Sequence, residues 1–233
     1  MKAFLENPLL LLALTFIIYY GVQMLQRKYK SPLLSPVLIT VCILIGYLTI
    51  FNISHTEYEE IGIYIEFWLK PSIVALGVPL YLQISQIKKQ LIPLLISQFI
   101  GSLTGIFSVC FIAKSLGANK EIIQSLAPKS VTTPIAIEIS QTLGGITSLT
   151  VASVMITGFI GSLFGFKILE IFRVKSQMGS GVAIGAASHG MGVMAALGLS
   201  EKHAVYASLG MIFNGIFTAI LAPFVLNLIA PWL

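Results

Sequence analysis

The residues whose side chains are best suited to bind a ligand or carry a reaction lie at 127–138, where two prolines enclose a short polar tract. One lysine and three hydroxyl side chains stand between the prolines: Pro128, Lys129, Ser130, Thr132, Thr133 and Pro134. Pro128 ends an incoming helix, whereas Pro134 suits the first turn of the next helix, which Thr132 or Thr133 would cap. The amides and positive dipole at such a helix start favour an anion, and Lys129 adds a full charge. The tract predicts an anion-binding site; the alternative is a Lys129 that snorkels or serves structure alone.

Glu138 follows about one turn into the second helix of this tract. Three interpretations are open. Glu138 is a proton-coupling carboxylate, a structural partner of Lys129, or a carboxylate that faces a wet cavity.

A second polar tract lies at 179–192, inside a glycine-rich apolar stretch. Ser188, His189 and Gly190 break this stretch, and Gly190 and Gly192 allow backbone amides to approach a ligand. His189 either binds substrate, moves a proton near neutral pH, or is hydrogen-bonded for packing alone. The sequence offers neither metal-ligand spacing nor a hydrolase triad. It therefore predicts no metal, no cofactor and no enzyme.

The amino-acid composition indicates which class of protein contains these two tracts. Hydrophobic residues make up 56% of the 233 residues and charged residues only 10%, against roughly 25% charged residues in a soluble domain. Such a chain cannot cover a water-soluble surface, and it is too apolar to be disordered. Its net charge of +5 comes from small clusters beside apolar runs, which favours membrane insertion over nucleic-acid binding. We predict an all-α integral membrane protein in the lipid bilayer, with residues 1–233 as one polytopic domain.

The apolar runs predict six membrane spans, since a span needs about 20 mainly apolar residues. They cover residues 8–24, 32–52, 67–87, 91–113, 146–172 and 204–232. Residues 118–145 and 178–198 contain the two polar tracts, and neither forms one unbroken lipid-facing helix. We predict two broken, re-entrant helical hairpins. The alternative is eight spans, two of them broken.

The distribution of basic residues favours the hairpins. With the N-terminus outside and hairpins entering from opposite faces, Arg27, Lys88, Arg173 and Lys202 all lie on the cytoplasmic side. Two broken segments, each followed by an intact helix, also predict a possible inverted repeat. Interrupted segments in matching places mark the substrate sites of transporters.

Three lesser features accompany the tracts. Asn214, inside the last span, either reaches the site or bonds a neighbouring helix. Gly101 and Gly105 form one G-x-x-x-G pair and Gly161 and Gly165 another, and both pairs predict close helix contacts.

The two tracts resemble the LrgB/CidB family of bacterial membrane proteins. The similar stretches are PKSVTTPIAIEIS at 128–140, GSGVAIGAASHGMG at 179–192, LKPSIVALGVPLYLQI at 69–84 and TAILAP at 218–223. The resemblance covers nearly the whole chain, and PKSVTTP is its most specific motif. One position departs from the family pattern, because Met194 stands where relatives usually carry a basic residue.

The resemblance implies a multi-pass protein of the bacterial cell membrane with one of two functions. LrgB-type proteins are described as antiholin-like regulators of murein hydrolase activity and autolysis, acting with a small holin-like partner, LrgA or CidA. Plant plastid relatives exchange glycolate for glycerate, and bacterial relatives are linked to pyruvate.

The residues themselves favour transport of a small carboxylate, because a regulator does not need Lys129, Glu138 and His189 at opposed helix breaks. Transporters with opposed hairpins lead us to expect a homodimer, by analogy of fold.

Overall fold

The computed structural model describes residues 7–29, 34, 36–54, 58, 62–65, 67–68, 71, 74, 77–82, 85, 88 and 90–232 of the chain. Within them every regular element is a helix and none is a strand, which confirms the predicted all-α class. The helices are α1 (Pro8–Tyr29), α2 (Pro36–Ile50), α3 (Gly77–Leu82), α4 (Leu91–Ser115), α5 (Lys120–Leu126), α6 (Thr133–Leu143), α7 (Thr147–Ile171), α8 (Gln177–Leu197) and α9 (Glu201–Ile229). They fall into two compact units, residues 1–72 and 73–233. The single domain over residues 1–233 stays a prediction.

The first unit contains α1 and α2, which pack against each other. Leu11 and Ile53 are buried at their contact, with Tyr47 and Tyr58 beside them. A hydrogen bond of 3.0 Å joins the hydroxyls of Thr15 and Tyr58.

Five of the helices that the structure describes are long and apolar enough to cross a membrane: α1, α4, α7, α8 and α9. Their outer surfaces carry large apolar side chains, such as Phe111 on α4, 63% exposed, and Phe224 on α9, 71% exposed. Water would disfavour such surfaces, whereas lipid covers them at no cost. The helical part of the chain is therefore built for a bilayer.

The first polar tract forms a helical hairpin of α5 and α6. Asn119 caps α5, because its side chain accepts a hydrogen bond of 2.9 Å from the Ile122 amide. A turn follows, and α6 begins after Thr132, which is extended at φ −64 and ψ 146, with Pro134 in its first turn. This confirms the predicted break and cap position, although the Thr132 side chain makes no capping bond.

A glycine ends this hairpin. Gly144 has φ +80, and the Gly145 amide donates to the Ser140 carbonyl at 2.8 Å. This is the Schellman arrangement, in which a left-handed residue closes the last helical turn.

The second polar tract also folds back on itself. Helical geometry in α8 is interrupted at His189, with φ 43 and ψ −133. A side chain added at Gly192 would meet the carbonyl oxygen of Ile184, although eight residues of straight helix span roughly 12 Å. The arms before and after His189 therefore pack against each other.

Helix α9 confirms the reversal within α8. Gly181 lies against the His203 backbone, and further along both helices the Ala186 carbonyl accepts a bond from Asn214. The first arm of α8 and α9 thus run in the same direction. Because they follow one another in the chain, residues 190–197 must return to the starting level.

The two hairpins pack at opposite ends of α7. Near its start, the Thr150 hydroxyl donates to the Ser125 carbonyl in the first hairpin at 3.0 Å. Further along, Gly161 lies against Ser188 of the second hairpin, and Gly165 lies against Ile184. That these ends face opposite sides of a bilayer stays a prediction, as does the inverted repeat.

The predicted spans correspond to the helices in part. Helices α1, α4, α7 and α9 cover four of the six, and α2 covers residues 36–50 of the second with 15 residues. About half of the third span, 67–87, lies outside the described residues, and the described half includes α3. Helix α8 is long enough to span, but it is folded at His189.

Candidate anion-binding site at two helix breaks

A cavity of about 920 Å³ lies in the second unit, bounded by α4, α7, α9, the turn of the first hairpin and the first arm of the second. Most of its wall is apolar, but eleven hydroxyl and amide side chains also line it. These are Ser97, Gln98, Ser102, Thr104, Ser108, Ser130, Thr157, Ser176, Ser188, Asn214 and Thr218. The volume is that of a small-molecule site.

Lys129 supplies the charge in this cavity. It lies on the turn between α5 and α6, and its Nζ donates to the Ser130 hydroxyl at 3.0 Å. Among the described residues that line the cavity, Lys129 is the single charged side chain, and no carboxylate accompanies it. An ammonium that bonds a hydroxyl, in a cavity without a carboxylate on its described wall, is an arrangement that favours an anion.

Asn214 ties both hairpins to α9. Its Nδ2 donates to the carbonyls of Ser130 and Ala186, each at 3.0 Å, and its Oδ1 accepts from the Ser102 hydroxyl at 2.7 Å. The amide is buried and uses both donors. Both alternatives for Asn214 therefore hold: it lines the cavity and it bonds neighbouring elements.

Two other polar groups on the cavity wall are buried without a partner in the described structure. The Ser188 hydroxyl and the Gln98 carbonyl oxygen make no hydrogen bond, although the two residues are 0% and 2% exposed. A buried polar atom without a partner is costly, so such atoms mark places for a ligand or water.

His189 points away from the cavity. Its ring lies 6% exposed with Nε2 at 3.0 Å from the Val154 carbonyl oxygen on α7, which assigns the proton to Nε2. The ring fits there because Gly158 carries no side chain: a Cβ at that position would lie 2.7 Å from Nε2. This geometry matches a histidine held for packing at the sharp turn.

A small polar cluster fixes the first hairpin to α7. The hydroxyls of Thr150 and Ser140 are hydrogen-bonded to each other at 2.7 Å, and the Ser125 hydroxyl accepts from the Ile146 amide at 2.7 Å. All three side chains lie between α5, α6 and α7, so they hold the turn that carries Lys129.

Comparison with known proteins gives the family of this fold. The model of the LrgB-like family matches residues 15–228. The chain belongs to the LrgB-like family. No solved structure matches it.

Curated relatives of this LrgB-like chain are bacterial. Holin-like protein CidB of Staphylococcus aureus (strain N315) is 34% identical over 93% of this chain and 95% of its own length. Uncharacterized protein YxaC of Bacillus subtilis (strain 168) is 35% identical over 93% and 94%, respectively. Such matches, together with the apolar helices, make it a multi-pass bacterial membrane protein.

The LrgB-like fold brings only part of the predicted site together. Lys129, Ser130, Ser188 and Asn214 line the cavity. The other predicted side chains and glycines are absent from its described lining: Thr132, Thr133, Glu138, His189, Gly190 and Gly192. Thr132 has a buried hydroxyl without a partner, whereas Glu138 is exposed on α6.

The glycines of the second break have different surroundings. Gly192 lies against Ile184 and Ser188, so it serves the packing of the two arms, whereas Gly190 has open space around it. Met194, at the position where the family pattern has a basic residue, is 68% exposed and outside the described cavity wall.

Sequence reasoning missed Gln98 and Ser102 on α4. Gln98 could have been found from the sequence, because it is a carboxamide in the mainly apolar run 91–100. Polar side chains inside membrane helices mark functional positions. This signal could not show that Gln98, Ser102 and Asn214 line one cavity, since that depends on how α4 packs against α9.

Proposed function

We propose that this LrgB-like protein transports small monocarboxylates such as pyruvate, lactate, glycolate or glycerate. The observation that carries the proposal is Lys129, the single charged side chain among the described residues of a cavity otherwise lined by hydroxyls, amides and apolar groups. A single ammonium matches a single carboxylate, whereas a dicarboxylate would leave one charge unpaired.

The binding mode follows from the positions of the polar groups. The carboxylate pairs with Lys129, and the Ser130 and Ser188 hydroxyls donate to its oxygens. Asn214 lines the site while it holds the two hairpins. The other residues predicted as ligands would reach a substrate only after a movement of the two hairpins. These are Thr132, Thr133, His189, Gly190 and Gly192.

Transport is tested by uptake of the four labelled acids into proteoliposomes containing purified protein, with and without a pH gradient. Lys129→Ala removes the ammonium, and we expect at least a tenfold loss of substrate affinity, since a charged hydrogen bond contributes about 1.5–3 kcal/mol. Lys202→Ala is the matched control, because Lys202 is exposed at the start of α9. Unchanged affinity in folded Lys129→Ala protein contradicts the proposal.

Coupling to protons belongs to the same proposal, with Glu138 or His189 as the carrier. The pH-gradient arm of the uptake assay tests it, and Glu138→Gln separates the two carriers. Loss of the stimulation in Glu138→Gln assigns the coupling to Glu138, and stimulation that survives shows that Glu138 is not the carrier. We also propose a homodimer, which the molecular mass of the purified protein checks.

A regulatory function is the second candidate, and the names of relatives favour it. Proteins of Staphylococcus aureus and Staphylococcus epidermidis that match this chain are called Holin-like protein CidB. In that function the chain acts with a holin-like LrgA/CidA-type partner to control autolysis. Variants of the cavity would then leave autolysis unchanged, whereas charged variants of the lipid-facing side chains would alter it.

A further inference from the structure

Gln98 is the one polar side chain in the buried stripe of α4 without a hydrogen bond. The buried residues of this helix recur at intervals of four: Leu94, Gln98, Ser102, Ile106 and Cys110. Ser102 bonds Asn214, but the Gln98 carbonyl oxygen has no partner among the described residues, and the side chain is 2% exposed.

Gln98 lines the same cavity as Lys129, the proposed ligand of the carboxylate. Gln98 is one helical turn, roughly 6 Å along the axis, from Ser102. Ser102 bonds Asn214, which in turn bonds the Ser130 carbonyl next to Lys129. Gln98 and Lys129 line the same cavity, and the Asn214 amide joins the two elements that carry them.

We infer that Gln98 determines substrate specificity by bonding a polar substituent on the carbon beside the carboxylate. This inference rests on the proposed function, in which Lys129 binds the carboxylate itself. A carboxamide both donates and accepts hydrogen bonds, so it recognises a hydroxyl or a keto oxygen at that carbon. An acid that lacks the substituent leaves the amide buried and unpaired, which a site of this kind penalises.

Three acids with the same three-carbon skeleton test the inference: propionate, lactate and pyruvate. Their affinities for purified protein follow from ligand-induced rises in melting temperature, a readout that does not require transport. We expect wild-type protein to bind lactate and pyruvate about tenfold more tightly than propionate. Gln98→Met keeps the length of the side chain and removes its hydrogen bonds, so it should abolish this preference and leave propionate affinity unchanged.

Gln90→Met is the matched control. The Gln90 carbonyl oxygen is also buried without a partner, but Gln90 precedes α4 and is not among the cavity-lining residues. It should keep the wild-type preference.

The outcomes separate this inference from the proposed function. The role of Gln98 is overturned if wild type binds the three acids equally, or if Gln98→Met loses all three equally. The proposed function survives either result when Lys129→Ala still abolishes binding. Binding of none of the acids by wild type overturns both.

Discussion

At the scale of single residues, the Asn214 side chain makes three hydrogen bonds, whereas Lys129 makes one. Its amide joins the turn of the first hairpin, the first arm of the second hairpin and α4 through three hydrogen bonds. The bond with Ser102 is buried and the other two are partly buried, and a polar group away from water needs its partner. Asn214 therefore fixes the distance between the two hairpins and with it the shape of the cavity.

Replacing Asn214 should destabilise the protein. Asn214→Ala leaves two carbonyls and the Ser102 hydroxyl without their partner, which we expect to cost about 2 kcal/mol or more. The melting temperature in detergent should fall by roughly 4–8 °C. Asn227→Ala, at an exposed position of the same helix, should change it little. Equal melting temperatures for the two variants would show that the bonds of Asn214 contribute no net stability.

Residue-level prediction succeeded where the chemistry is local. Pro128 and Pro134 bracket a break, and Thr132 precedes the new helix, because proline and the residue before it restrict their own backbone. The role of His189 was left open, since its hydrogen bond goes to Val154, 35 positions away. No local pattern reports such a contact.

At the scale of elements, α7 is the support on which the second hairpin folds. Gly158 faces the His189 ring, Gly161 faces Ser188, and Gly165 faces Ile184. Glycine at these positions lets the sharp turn of α8 approach the α7 backbone. The prediction that Gly161 and Gly165 serve a close helix contact is confirmed.

The other G-x-x-x-G pair behaves differently. A Cβ at Gly101 or Gly105 would meet nothing within 4 Å, and both residues line the cavity. Within the described residues they contact no neighbouring helix, so the helix contact of this pair stays a prediction. The motif alone does not distinguish the two pairs, because their surroundings depend on the facing element.

Alanine substitutions should separate the two pairs. Gly161→Ala drives a methyl group into Ser188 and should destabilise the protein by about 1–3 kcal/mol. Gly105→Ala meets open space and removes a flexible residue from a helix, so its stability should stay equal or rise by up to about 1 kcal/mol. Melting temperatures in detergent check both. A Gly161→Ala protein as stable as Gly105→Ala would contradict the close approach of α7 and α8.

At the scale of the whole molecule, the return of α8 decides the topology. A folded-back α8 brings Lys202 to the side of the membrane where Lys175 lies, whereas a crossing α8 would separate them. The sequence predicted this arrangement from its basic residues, through the positive-inside rule. The contacts of α9 with the first arm of α8 favour it independently.

Single cysteines test this topology. Cys42 and Cys110 are the two native cysteines, and replacing both with alanine gives a background for Lys175→Cys and Lys202→Cys. We expect a membrane-impermeant thiol reagent to label neither cysteine in intact cells and both after permeabilisation. Labelling of one from outside and the other only from inside would show that α8 crosses the membrane.

The all-α class and the positions of the breaks were predictable from the whole chain, because apolar run length and proline placement are local quantities. The cavity was not. Its wall combines Gln98, Thr157, Ser188 and Asn214 from four elements, and only the packing of the second unit brings them together.

The most direct test of the central claim is the charge preference of the cavity itself. Thr157→Cys in the cysteine-free background places one thiol on the cavity wall. We expect a sulfonate-bearing thiosulfonate to react with it faster than a trimethylammonium-bearing one, since Lys129 attracts anions. Pyruvate should slow both reactions, and Lys129→Ala should remove the preference for the anionic reagent. Equal rates for both reagents, insensitive to pyruvate and to Lys129→Ala, would contradict an anion site built on Lys129.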